Sequence, residues 1–310
     1  MGRYSTDGGD RFDSLVEADL HAICHKLTNP DIEAIVLVGA PARGEGTPFE
    51  GKPYNDYDIV VVARKKIQVP PIKLSIPVDV SVKTTKELRA ATCTLFNYEM
   101  RYAHKVIFGP QNILDIMPEW KKEALPLLEG TQLLVNRGTL HLLEESDKYF
   151  MKLALALGDS AFLAMKCHEI SYQKKLLSFR DFFPSWNIPE TNYLSDIYEK
   201  AIRFKLSGHA APIGKEEWTR LLTYFEQFAL WYEGIRLGRP IHSLDEYIHT
   251  IAEAPFSLFH AAQNLIYFRS LHHLFAPPAA KLLAALLFLN RREPGFLTKK
   301  AYLDIWRRYA

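Results

Sequence analysis

Ile35-Val36-Leu37-Val38-Gly39-Ala40-Pro41-Ala42-Arg43-Gly44-Glu45-Gly46, followed by Asn55-Asp56-Tyr57-Asp58-Ile59-Val60-Val61-Val62 and then by Val78-Asp79-Val80, is the stretch that decides the fold of this chain. The run from Ile35 to Val38 is apolar and rich in β-branched side chains, so it reads as a buried strand that ends at Gly39. A glycine-rich loop follows, where a backbone can approach a bound group closely. Asp56 and Asp58 open a second apolar run, and in a strand residues i and i+2 project to the same face. Both carboxylates therefore point one way.

The third carboxylate follows the same periodicity. Leu74, Ile76, Val78, Val80 and Val82 alternate with Ser75, Pro77, Asp79, Ser81 and Lys83, the pattern of a half-buried strand with Asp79 on its polar face. Pro77 has no N–H for a ladder, which predicts an edge position or a bulge. Pro70-Pro71 separates this strand from the preceding one and lets the two lie side by side, bringing three carboxylates together. Clustered anions repel unless a cation neutralises them, and hard oxygen donors favour Mg²⁺, which also accepts phosphate oxygens as ligands.

The ordered segments resemble the DNA polymerase β-like nucleotidyltransferase superfamily, in particular its small prokaryotic members and the aminoglycoside nucleotidyltransferases. Those proteins show Gly-Ser-x-Ala-Arg-Gly, then Ser-Asp-x-Asp before apolar residues, then a further Asp in an apolar strand. The matching segments here are Gly39-Ala40-Pro41-Ala42-Arg43-Gly44, Asn55-Asp56-Tyr57-Asp58-Ile59-Val60 and Val78-Asp79-Val80, and they cover about the first third of the chain. The resemblance implies that Asp56, Asp58 and Asp79 are catalytic and bind two Mg²⁺ ions. It also implies that Gly39, Ala40, Arg43 and Gly44 contact the nucleoside triphosphate.

The implied reaction transfers a nucleoside monophosphate, AMP from ATP among most relatives, to a hydroxyl on a small molecule, a protein or an RNA, releasing pyrophosphate. Ala40 replaces the family's serine and so lacks a phosphate-contacting hydroxyl, although backbone amides can bind anions. That departure motivates one alternative, a catalytically silent nucleotide-binding or scaffold protein of the same fold; a further alternative is an RNA end-modifying nucleotidyltransferase. Arg43 is read as a phosphate ligand, with pairing to Glu45 as the competing role.

At 310 residues, with 48% hydrophobic and 24% charged residues, the chain has the size and composition of two globular domains rather than of a disordered protein. A formal charge of +2 does not by itself call for nucleic acid. Cys24, Cys93 and Cys167 are odd in number and widely spaced, as expected of reduced thiols in the cytoplasm. The apolar run over residues 282–289 falls short of the roughly 20 residues needed to span a bilayer.

Leu15, Ala18, Ala22, Ile23 and Leu27 predict a first helix that Asn29-Pro30 stops. Thr84 or Thr85 is the candidate cap of a helix after the Asp79 strand, and Gly109-Pro110 marks a break. Beyond it the texture becomes helical, with breaks expected at Gly158, from Pro184 to Pro189, from Gly208 to Gly214 and at Gly238-Arg239-Pro240. Leu221, Leu222, Phe225, Phe228, Ala229, Tyr232 and Ile235 form one helical stripe. The expected architecture is an α+β nucleotidyltransferase domain with a mixed sheet over residues 1–115. An all-α helical bundle over residues 116–310 follows, expected to bind the acceptor and to form a cleft wall.

Two further constellations have bland readings. His21 and His25 lie one turn apart with Cys24 between them, and His272-His273 are adjacent. Neither supplies a full metal-ligand set. Residues 172–186 interleave basic and aromatic side chains, read as helix packing rather than as an RNA-binding surface.

Overall fold

The computed structural model describes the chain apart from Met1, Asp7, Gly8, Gly51, Asn55, Ala210, Ala211 and residues 270–272 and 292–297. Asn55 of the carboxylate motif and His272 thus lie outside the described residues. Two compact units are present. The first comprises Met1–Pro126, Glu169–Ser178 and Ile202–Ala210, and the second Leu127–His168, Phe179–Ala201 and Ala211–Ala310. Where a single cut after residue 115 was expected, two later segments join the first unit.

The first unit is α+β. Helix α1 (Gly9–Lys26) leads to strand β1 (Ile32–Val38), a single helical turn α2 (Gly39–Ala42), a small hairpin of β2 (Pro48–Phe49) and β3 (Lys52–Pro53), and strand β4 (Tyr57–Ala63). Strand β5 (Val78–Thr84), helices α3 (Thr85–Arg89) and α4 (Leu95–Tyr102) and strand β6 (Lys105–Phe108) complete it. The sheet is mixed, in the order β5-β4-β1-β6, with β1 antiparallel to β4 and β6 and β4 parallel to β5.

A parallel pair needs a crossover. Here residues 64–77 make it without a helix, and Ile67, Val69, Ile72, Leu74 and Ile76 pack on the core beneath α1. The regular strand begins at Val78 rather than at Leu74. Pro77 ends the crossover, its carbonyl accepting from Tyr57 N at 3.0 Å, and β5 lies at the sheet edge as a proline there requires.

Strand alternation gives each face its own core. Ile35, Leu37, Ile59 and Val61 meet Phe12, Val16, Leu20 and Ile23 of α1, whereas Val36, Val38, Val60 and Val62 meet Leu88 and Met100 on the opposite face. The buried stripe of α1 is therefore 12-16-20-23; it shares Ile23 with the predicted one, and Leu27 just beyond the helix is also buried as predicted, whereas Leu15 and Ala18 are exposed. Apolar spacing alone did not distinguish the two stripes, because both recur at helical intervals. Thr84 caps α3 in a capping box with Glu87.

The second unit is built from α5 (Leu128–Gly138), α6 (Leu140–Leu143), α7 (Asp147–Ala164), α8 (Tyr172–Phe182), α9 (Thr191–Ser207), α10 (Lys215–Leu237), α11 (Leu244–Ala252), α12 (Leu258–Tyr267), α13 (Pro278–Asn290) and α14 (Lys299–Tyr309), with α8 and α9 shared with the first unit. Its predicted stripe on α10 is buried at Leu221, Phe225, Phe228, Ala229 and Tyr232, and Gly238 ends that helix in the left-handed conformation.

Gly158 is not a break. It lies inside α7, where a Cβ would come within 2.1 Å of the Tyr198 ring, so it is a close-packing position. Residues 179–186 also serve packing, as the Phe179 and Phe183 rings are buried against Tyr198. The three cysteines are free thiols. Among the described residues no helix is long and apolar enough to cross a membrane.

Candidate metal and phosphate site

Three local features assemble the carboxylates. Tyr57 is fully buried, and its Oη donates to Asp19 Oδ2 of α1 at 3.0 Å. That anchor commits Tyr57 to the α1 face and, by strand alternation, commits its neighbours Asp56 and Asp58 to the other face. Parallel pairing then sets Asp58 directly beside Asp79 in register. Antiparallel pairing sets Val38 opposite Asp58, so the next residue, Gly39, turns over the Asp58 side chain. A Cβ on Gly39 would lie 2.8 Å from Asp58 Oδ2, and the residue has φ +75°. Only glycine fits that backbone and that approach without strain.

Asp56, Asp58 and Asp79 each present an oxygen within 4.8 Å of the others, with Asp56 and Asp79 exposed and Asp58 partly buried. Burial and the adjacent Asp56 carboxylate, which also shares a hydrogen bond with it, hold the Asp79 carboxyl above the usual carboxylate range. Three acidic oxygens in one small volume, with one of them already resisting ionisation, fit a divalent cation bound through hard donors. Among the described residues this is the group of three or more acidic, histidine or cysteine side chains so placed. His21, Cys24 and His25 form no such group.

In the glycine-rich loop the competing role of Arg43, pairing with Glu45, is present. Arg43 is largely withdrawn from the surface. Its side chain is 9% exposed, its Nε donates to Glu45 Oε2 at 3.2 Å and its Nη1 to Glu99 Oε2 at 3.3 Å. The Tyr172 ring lies beside it, centroid 5.9 Å from Cζ.

The amides of residues 43–46 are bonded within the fold. Arg43 N and Glu45 N donate to Ala40 O, Gly44 N to Pro41 O and Gly46 N to Tyr4 O. Ala40 is buried, and Gly44 takes φ +75° to close the turn. Of the residues predicted to contact a nucleotide, Gly39 is the one that the described contacts place against the carboxylates.

Sequence reading named Glu45 only as a partner of Arg43 and missed its ties to Ser171 and Gln173. Glu45 is 2% exposed, and its Oε1 accepts from Ser171 Oγ at 2.7 Å and from Gln173 N at 3.1 Å while Oε2 holds Arg43. These bonds draw the segment Glu169–Ser178 into the first unit. No spacing rule links positions 45 and 171, and only the acidic residue within a glycine loop hinted at a special role.

Comparison of the chain with protein-family models, curated proteins and solved structures gave no match. The functional reading therefore stands on the site itself and on the motif order.

Proposed function

We propose that the chain is a Mg²⁺-dependent nucleotidyltransferase that transfers a nucleoside monophosphate, AMP from ATP, to a hydroxyl acceptor and releases pyrophosphate. The observation that carries the reading is the in-register pair Asp58 and Asp79 on parallel strands, with Asp56 alongside and Gly39 closing over Asp58. Asp56, Asp58 and Asp79 are the residues to hold the metal. Bound Mg²⁺ neutralises phosphate charge and acidifies the acceptor hydroxyl.

In the proposed reaction the acceptor oxygen bonds to the α-phosphorus, the bond from that phosphorus to the bridging oxygen of the β-phosphate breaks, and pyrophosphate departs with the electron pair. Asp79 is the candidate to receive the acceptor's proton on its carboxylate. The resemblance supplies ATP as donor, and the acceptor's class stays a hydroxyl on a small molecule, a protein or an RNA.

A second reading has its own support. The internal ion pairs of Arg43 and the internally bonded amides of residues 43–46 leave the phosphate side of the site thinly furnished, as in a silent nucleotide-binding or scaffold protein. Calorimetric titration with each of the four ribonucleoside triphosphates, with and without Mg²⁺, separates the readings when combined with a pyrophosphate-release assay. Mg²⁺-dependent binding that disappears in Asp56→Asn/Asp58→Asn, together with pyrophosphate release, supports transfer. Binding without release across hydroxyl acceptors supports the silent nucleotide-binding reading, and no Mg²⁺-dependent binding in the wild type counts against transfer and favours the scaffold.

A further inference from the structure

Helix α12 turns its apolar side outward. Leu258, Phe259, Ala262, Leu265 and Ile266 recur at i, i+1, i+4, i+7 and i+8, which places them on one helical face, and all five are exposed. His260, Gln263 and Asn264 occupy the other side, and from Ala254 to Phe268 the sequence has no Asp, Glu, Lys or Arg. The polar side chains lock this orientation. Asn264 is fully buried and its Nδ2 donates to Leu274 O at 2.7 Å and to Ala276 O at 2.8 Å, while His260 Nδ1 pairs with Phe275 O at 3.0 Å. Rolling α12 to bury the apolar face would break these bonds, so the face stays outward.

The extent of the face matches a protein interface. Phe256, just before the helix, and Leu258, Phe259, Leu265 and Ile266 are each 48–73% exposed. They present about 600 Å² of apolar surface, the upper end of what a monomer leaves uncovered. Two copies face to face would bury about 1,200 Å², the lower bound of a stable interface.

Opposite charges bracket the face. Glu253 stands upstream, its 3.8 Å contact with Arg239 leaving the side chain 74% exposed, and Arg269 stands exposed downstream. Two such helices packed antiparallel about a two-fold axis bring the acidic end of each to the basic end of the other. Ala262, the smallest residue of the face, then lies near the axis, where the helices come closest. An interfacial lipid-binding helix instead carries lysine and arginine along its polar side, and α12 has neither. We propose that this face joins two copies of the chain in an antiparallel two-fold dimer, with Leu258 and Phe259 of one copy against Leu265 and Ile266 of the other and Glu253 beside Arg269. The contact lies within the second unit, and its test needs no transfer activity.

The test is sedimentation velocity of the full chain across a wide range of concentrations. Wild type is expected to dimerise reversibly, reaching twice the chain mass of 35.5 kDa. Phe259→Glu and Ile266→Glu, both at exposed positions, are each expected to weaken the dimer at least a hundredfold with an unchanged unfolding midpoint. Leu177→Glu, at an exposed leucine of α8, is expected to leave it within about twofold. Arg269→Glu is expected to weaken it at least fivefold, and adding Glu253→Lys to recover most of that loss. A wild type that stays monomeric, or that binds lipid vesicles without dimerising, overturns the proposal, as does a dimer that survives both apolar substitutions. A dimer lost in those variants but indifferent to Arg269→Glu overturns the antiparallel pairing.

Discussion

Replacing Gly39 by alanine separates the backbone role of that residue from its contact with the candidate metal site. Gly39 has φ +75°, a region that costs an L-residue about 1–2 kcal/mol. The new methyl would also sit 2.8 Å from Asp58 Oδ2. Because a carboxylate at the end of a short side chain can rotate away, the second cost falls on the position of Asp58 rather than on folding.

Gly238 is a matched control. It has φ +70°, and a Cβ there would meet nothing within 4 Å. Gly39→Ala and Gly238→Ala should therefore each lose about 1–2 kcal/mol in chemical denaturation, the common cost of the left-handed backbone. Only Gly39→Ala should lose affinity for Mn²⁺, used as a spectroscopic stand-in for Mg²⁺ in the presence of ATP, by tenfold or more. Titration followed by electron paramagnetic resonance reads the free ion directly. Unchanged Mn²⁺ affinity in Gly39→Ala, or the same loss in both variants, would refute the claim that Gly39 sets the position of Asp58.

Glu45→Ala strips Arg43 of one of its two carboxylates and removes the acceptor for Ser171 and Gln173. A loss of about 3–5 kcal/mol is expected in urea titrations, since a buried guanidinium is left undercompensated, and a loss below about 1 kcal/mol would contradict it. Gly158→Ala forces a methyl into the Tyr198 ring and should destabilise by about 1–3 kcal/mol or more, read as an earlier unfolding midpoint. Thr84→Ala should cost about 1 kcal/mol through the lost cap. The Glu87 carboxyl is held at about 2 by the Thr84 amide and then by Lys66. With the folded pKa below the unfolded one, its contribution is present above about pH 4.5 and disappears as pH falls toward 2. Glu87→Gln should flatten that acid limb of the stability profile, and an unchanged limb would speak against the capping box.

Local chemistry carried much of the fold. The β-branched run before Gly39 gave a strand, Pro77 gave an edge, Thr84 gave a cap and Gly238 gave a helix end, because each depends on neighbours a few residues away. The i, i+2 placement of Asp56 and Asp58 follows from strand geometry alone. What spacing misjudged had distant partners. Gly158 reads as a break until Tyr198, far along the chain, occupies the space a side chain would need. The helix α1 offers two apolar stripes, and the sheet chooses one.

The candidate site divides in the same way. By itself the sequence determined the donor types, the common face of two carboxylates and the strand that carries the third. Tertiary structure alone decided that β5 pairs parallel to β4 with Asp79 beside Asp58, that Tyr57 locks the register against Asp19, and that Arg43 is withdrawn into the carboxylates of Glu45 and Glu99. The reason is physical. Strand periodicity fixes which way a side chain points, whereas strand pairing and the burial of a charge are settled by groups that meet only when the chain has folded.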